Sequence, residues 1–255
     1  MIQAKKSLGQ NFLTHKGTLH KILTAADLSE TDHVIEIGPG HGILTEQLAQ
    51  KSAHLIAIEL DDCLIPELKK KFPNIEILHQ DALQFTPPAA PYKLVANIPY
   101  YITSPILNHF LREQPSNQRP TKLTLLIQKE VAQKICAKPG NLSVLAIQVQ
   151  LFGTPKIITK VPPSHFNPAP KVDSAILNIT IHKTPLIQDS DIPTFFKLIH
   201  AGFAHKRKKL IKNLSTLPNL GDTNLSQIFK KLNLDENSRA QSLSLENWQN
   251  LLKQL

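Results

Sequence analysis

A chain of 255 residues, 41% hydrophobic and 19% charged, can bury a core as one large domain or a principal domain with a small appendage, and is not a largely disordered one. Its net charge of +9 equals the nine positive charges of two acid-free stretches, residues 1–24 (Lys5, Lys6, Lys16, Lys21) and 200–213 (Lys206, Arg207, Lys208, Lys209, Lys212); such clustering fits a polyanion partner, nucleic acid first, or a lysine-rich face kept for solubility, and composition alone does not choose between them. No apolar run approaches the ~18 residues of a membrane span, Cys63 and Cys136 match no zinc or disulfide spacing, and the basic start leads into Ser7-Leu8-Gly9-Gln10 with no apolar core, so the chain reads as cytoplasmic and reduced, without a signal peptide.

Short apolar runs at 33–37, 54–60, 75–78, 93–98 and 123–127 are rich in Ile, Leu and Val, as expected of strands buried on both faces. Helical spacing of apolar residues at 43–52, 62–71, 104–112 and 129–137 separates or follows them. The alternation predicts a parallel sheet with helices on both faces. Residues 153–182 carry two β-rich pieces punctuated by prolines, and 172–182 alternates like a strand. Past Lys183-Thr184-Pro185 the strand signal disappears. Helices are expected at 191–214, 224–232 and 244–255, the last started by Ser244. The expected domains are therefore 1–184, α/β, and 185–255, all-helical.

Glu36-Ile37-Gly38-Pro39-Gly40-His41-Gly42 follows the first strand candidate and opens a helix. Glycines there admit φ > 0 and a close ligand. Ile43 stands where a dinucleotide fingerprint wants Gly or Ala, which disfavours nicotinamide binding. Glu59, Asp81 and Asn97 follow Gly38 at successive steps of 21, 22 and 16 residues, each about one β-α-β unit. All four then line the carboxyl edge of one sheet, where open α/β folds bind ligands. Glu59 would accept both hydroxyls of a ribose, and Asp81 would accept from an adenine amino group. This pattern resembles the class I methyltransferases, a resemblance that implies a Rossmann-like central sheet and S-adenosylmethionine as methyl donor.

Asn97-Ile98-Pro99-Tyr100 resembles the [N/D/S]-[P/I/L]-P-[Y/F/W] motif of methyltransferases that act on exocyclic amines of bases. The lone pair of an adenine amino nitrogen is delocalised into the ring, so the nitrogen is a poor nucleophile. Asn97 Oδ1 and the Ile98 carbonyl can accept its two N–H bonds and favour a more pyramidal, more nucleophilic nitrogen. Pro99 stiffens the turn and has no N–H to compete. Tyr100 offers a face for an extruded base.

Further blocks extend the likeness along nearly the whole chain: L-G-Q-N-F-L at 8–13, E-I-G-P-G-H-G-I-L-T at 36–45, N-I-P-Y-Y-I-T-S-P at 97–105, I-Q-K-E-V-A-Q-K-I at 127–135, V-P-P-S-H-F-N-P-A-P-K-V-D-S-A-I-L at 161–177, Phe203 with Arg207-Lys208, and R-A-Q-S-L-S at 239–244. Together they resemble the ribosomal RNA adenine dimethyltransferases, and within them the KsgA-type enzymes that modify two adjacent adenines near the 3′ end of small-subunit RNA. The resemblance implies donor contacts by Asn11, Leu13, Gly38, Gly40, Glu59, Asp81 and Asn97. It implies that Phe166 covers the face of the target adenine opposite Tyr100, and that Lys206, Arg207, Lys208 and Lys209 hold RNA. It also implies small-subunit rRNA within a 30S precursor as partner, no metal, no membrane and a monomer. Two departures stand out. Lys138-Pro139-Gly140-Asn141-Leu142-Ser143-Val144 lacks the Tyr, Gly and Arg of the longer family stretch, and Lys206 replaces the first Arg of the usual pair. A large-subunit resistance methylase and a non-catalytic RNA-binding assembly factor are the competing readings.

Overall fold

A computed structural model describes residues 4–217 and 222–254. In chain order the elements are β1 (Phe12–Leu13), α1 (Lys16–Ala26), β2 (His33–Ile37), α2 (Ile43–Ala49), β3 (His54–Glu59), α3 (Ile65–Lys71), β4 (Glu76–His79), β5 (Lys93–Asn97), α4 (Thr103–Leu107), β6 (Lys122–Gln128), α5 (Lys129–Ile135), α6 (Val144–Phe152), β7 (Gly153–Val161), β8 (Phe166–Asn167), β9 (Ser174–Ile181), α7 (Ile192–Gly202), α8 (Leu210–Leu214), α9 (Asp222–Lys231) and α10 (Leu245–Leu252). The backbone divides into two units, 1–133 with 153–183, and 134–152 with 184–255. Segment 134–152 thus groups with the C-terminal helices, although its sequence position falls inside 1–184.

The first unit is built on a seven-stranded sheet in the order β4-β3-β2-β5-β6-β9-β7. The β4-β3-β2-β5-β6 part is parallel, whereas β9 runs antiparallel to both of its neighbours, β6 and β7. The sheet is therefore mixed, not wholly parallel. Both faces are covered. Val34, Val95, Leu126 and Ile176 pack with Ile22, Leu23 and Ala26 of α1 and with Leu44 and Leu48 of α2. Their strand neighbours Ile35, Leu94, Ala96 and Leu125 point the other way and are equally buried. β2 pairs with β3 on one side and β5 on the other, so the strand order reverses between β2 and β5. A crevice at the carboxyl ends follows from that reversal.

In the second unit the sequence predicts one helix across 191–214, and the structure breaks it. α7 ends at Gly202, residues 203–209 form a turn, and α8 starts at Leu210. The buried carboxamide of Asn213 donates to the carbonyls of Gly202 at 2.6 Å and His205 at 3.1 Å. Carbonyls at the end of α7 are thereby satisfied without another helical turn. Packing around Gly202 is tight as well: a Cβ there would lie 2.4 Å from the ring of Trp248. Loop 138–144 is held within this unit, because Gly140 and Leu142 both donate backbone N–H bonds to the carbonyl of Gln241 (2.8 and 3.2 Å).

Candidate active site

The β2/β3 and β2/β5 registers place Ile37 beside Ile58 and Ala96. Gly38, Glu59 and Asn97 therefore emerge side by side at the crevice. Gly38 closes the β2 side by donating its N–H to the carbonyl of Ile58 at 2.9 Å. Gly38, Gly40 and Gly42 have φ of 70°, 57° and 76°, the left-handed region that a glycine occupies without strain. A Cβ on Gly40 would also meet the Phe12 ring at 2.9 Å.

Glu59 is 6% exposed. Its carboxylate accepts from the backbone N–H groups of Leu60 and Asp61, both at 2.9 Å, and of Gly40 at 3.2 Å. Burial pushes its pKa up, and the three N–H donors oppose that shift. The carboxylate is thus fixed in direction, with acceptor capacity beyond three bonds. Asp81 caps the short turn 82–84, accepting from the Leu83 N–H at 2.9 Å.

Asn97 donates from Nδ2 to the carbonyl of Asn11 at 3.1 Å. The Asn11 segment is held in turn by a polar staple. Lys5 Nζ donates to Asp61 at 2.6 Å and Asp62 at 2.9 Å, and Gln10 donates to Asp61 at 2.8 Å. Among the described residues, Asp61, Asp62 and Cys63 are close enough together to hold a cation, but both carboxylates already take the Lys5 ammonium. The Tyr100 hydroxyl shares a hydrogen bond with Ser174 Oγ at 2.7 Å, and burial pushes its pKa up. β1 pairs antiparallel with β8, setting Leu13 opposite Phe166. Phe166 is 5% exposed.

These positions line one cavity of about 260 Å³. It brings together Asn11, Gly38, Gly40, Glu59, Asp81, Asn97, Ile98, Pro99, Tyr100 and Phe166. Leu13 is not among its walls; it borders a recess of about 30 Å³ behind the glycine loop, shared with Glu36, Gly38, Gly40 and Asn97. Lys206, Arg207, Lys208 and Lys209 are exposed and lie in the second unit, on the turn 203–209 rather than on a helix; Lys209 Nζ donates to Asn237 at 2.6 Å.

Sequence reasoning passed over three members of the site. Glu36 is 1% exposed and neither carboxyl oxygen has a hydrogen-bond partner. Burial, with the charge of Glu59 adding, pushes its pKa up to about 8. The signal was a single acid inside the apolar run H-V-I-E-I. Gln10 and Ser174 sit in quoted blocks, but nothing in a sequence tells which polar side chain each one meets.

A sequence model of the ribosomal RNA adenine dimethylase family matches residues 1–254. The chain is similar to a ribosomal RNA small subunit methyltransferase A of Dehalococcoides mccartyi, 41% identical over 258 residues that cover 98% of this chain and 88% of the relative. Among solved structures it is similar to a dimethyladenosine transferase from Plasmodium falciparum, with a TM-score of 0.80 and 29% identity over 94% of this chain and 95% of the other. It is also similar to the 23S rRNA methyltransferase ErmE, with a TM-score of 0.78 and 27% identity over 96% and 99% of the two chains.

Proposed function

The chain belongs to the ribosomal RNA adenine dimethylase family, and we propose that it transfers methyl groups from S-adenosylmethionine to the exocyclic amines of two adjacent adenines near the 3′ end of small-subunit rRNA. One observation carries this reading: a single cavity is walled by the Gly38 loop, Glu59 and Asp81 and also by Asn97–Tyr100 and Phe166. A nucleoside site and an amine-presenting site there share one space.

The residues fit the donor. Gly38 and Gly40 add no side chain to the cavity wall, Glu59 presents a fixed carboxylate to the two hydroxyls of a ribose, and Asp81 accepts from an adenine amino group. The unpartnered Glu36 carboxyl beside the small recess suits a ligand that carries an amino group. Asn11 and Leu13 offer backbone groups to the same ligand. When bound, S-adenosylmethionine supplies an electrophilic methyl on a sulfonium.

The chain's own residues do the rest. Asn97 commits its amide nitrogen to the Asn11 carbonyl, which leaves Oδ1 as the acceptor for the target amine. The Ile98 carbonyl accepts the second N–H, and Pro99 holds the turn that follows. Tyr100 and Phe166 take the two faces of the extruded base. Fixed dipoles and positioning lower the barrier. The amine becomes acidic once alkylated, so its proton leaves without a strong base. Lys206, Arg207, Lys208 and Lys209 provide a basic turn for phosphates. On this reading the protein works in the cytoplasm on a 30S precursor, as a monomer and without a metal.

Transfer of labelled methyl to purified ribosomal subunits tests it. Incorporation into small subunits lacking the modification, and not into large subunits, is expected. Incorporation into large subunits alone would favour the resistance-methylase reading, for which the likeness to the 23S rRNA methyltransferase is the supporting observation. Binding without transfer would favour an assembly factor.

A further inference from the structure

Tyr101 differs from its neighbour in a way that the proposed chemistry does not use. Tyr100 is half-buried and tied to Ser174. Tyr101 is 58% exposed, the highest value among the large hydrophobic side chains that the described residues leave in solvent. It nevertheless borders the cavity, together with Leu8, Gly9 and Pro99. Its ring is backed from the N-terminal segment: a Cβ on Gly9 would stand 3.3 Å from both Cδ1 and Cε1 of Tyr101 and 3.5 Å from the Pro99 side chain. Glycine at position 9 therefore lets the segment pass close behind a ring that turns much of its surface outward.

We propose that Tyr101 is the stacking platform for the nucleobase next to the target adenine. The inference rests on the proposed function and deepens it. Tyr101 follows a different strand from the two carboxylates proposed to hold the donor's nucleoside. Asp81 follows β4 and Glu59 ends β3, whereas Tyr101 follows β5, on the far side of β2. The target's own platform is one residue away, ~3.8 Å between Cα atoms, within reach of consecutive nucleotides on one strand. An aromatic face grips any base without reading hydrogen-bond edges.

The test measures methyl transfer to small subunits lacking the modification, with Tyr101→Ala, Tyr101→Phe, the unsubstituted protein and Asn97→Ala as reference. Tyr101→Ala raises the KM for subunits about 5- to 150-fold, the range that one base–aromatic stack covers. Its kcat stays within a few-fold, because a platform binds ground and transition states alike. Tyr101→Phe restores most of the loss, and donor affinity by calorimetry is unchanged in both. A normal KM in Tyr101→Ala overturns the inference. So does an equal loss in Tyr101→Phe, which would assign the effect to the hydroxyl, and so does a parallel loss of donor affinity. Failure of the unsubstituted protein to methylate small subunits overturns the proposed function and the platform with it; activity that is strongly reduced by Asn97→Ala but untouched by Tyr101→Ala overturns the platform alone.

Discussion

The side chain of Asn97 bonds to the backbone carbonyl of Asn11 at 3.1 Å, across 86 positions of chain. That bond fixes which end of the carboxamide points onward, since only the nitrogen can donate to a carbonyl. It also ties the amine-presenting turn to the N-terminal segment. The same segment reaches Asp61, two residues past Glu59, through Gln10 and Lys5. Both halves of the cavity thus share one strap.

Replacing Asn97 by Ala separates binding from transfer. On the proposed function the carboxamide acts on the target amine in the transition state, so kcat is expected to fall about 10²- to 10³-fold, the cost of removing one fixed dipole from a reacting group. Donor affinity falls less than kcat, because Asn97 loses only its bond to the Asn11 segment on the donor side. Single-turnover methylation and calorimetry on the same sample check the two numbers.

Glu59→Ala works the other way. It removes the acceptor proposed for two ribose hydroxyls and leaves the N–H groups of Gly40, Leu60 and Asp61 without their partner. Charge-assisted bonds contribute about 1.5–3 kcal/mol each, so donor affinity falls about 100-fold or more. Glu59→Gln retains one acceptor oxygen and loses less. Calorimetric titration with S-adenosylmethionine, alongside a melting curve to verify folding, reads the effect.

Much of this was legible in the sequence because strands buried on both faces are continuous apolar runs: β2, β3 and β5 lie within a residue or so of the expected spans. The ends of those runs carry Gly38, Glu59 and Asn97, and strand parity alone sends them to one edge. The reversal of β9 was hidden, since alternation along 172–182 does not reveal strand direction. α1 went unread although Thr18, Ile22, Leu23 and Ala26 have helical spacing. The turn at 203–209 was hidden too, because it depends on Asn213 reaching back to Gly202 and His205. Long-range polar partners such as Lys5 with Asp61, or Tyr100 with Ser174, leave no periodic trace.

Glu36 makes stability depend on pH in an unusual direction for an acid. Its pKa in the folded chain is about 8, raised from 4.5, so between those values the folded state holds a proton that the unfolded state has released. Stability is full below the unfolded value and falls as pH rises, by up to ~1.4 kcal/mol per pH unit, until the folded pKa is passed. Glu36→Gln cannot ionise and should lose that slope. Urea unfolding at pH 5, 6, 7 and 8 compares the two; parallel slopes would count against a protonated Glu36.

The basic turn is testable through salt. Reversing Lys206, Arg207, Lys208 and Lys209 to Glu should weaken RNA binding and flatten its dependence on salt by about 0.7–0.9 of a log unit per log unit for each phosphate no longer neutralised. Donor affinity should not change. Filter binding across a range of KCl concentrations measures the slope, and an unaltered slope would show that RNA is held elsewhere.

The most direct measurement is a crystal structure of the protein soaked with S-adenosylmethionine. The donor is expected in the cavity at the β2/β5 reversal, its ribose hydroxyls on Glu59, the Gly38 loop beneath its methionine portion, and its methyl facing the Asn97–Tyr100 turn. A donor bound away from Gly38, Glu59 and Asn97, or one whose methyl is turned from Asn97, would contradict this arrangement.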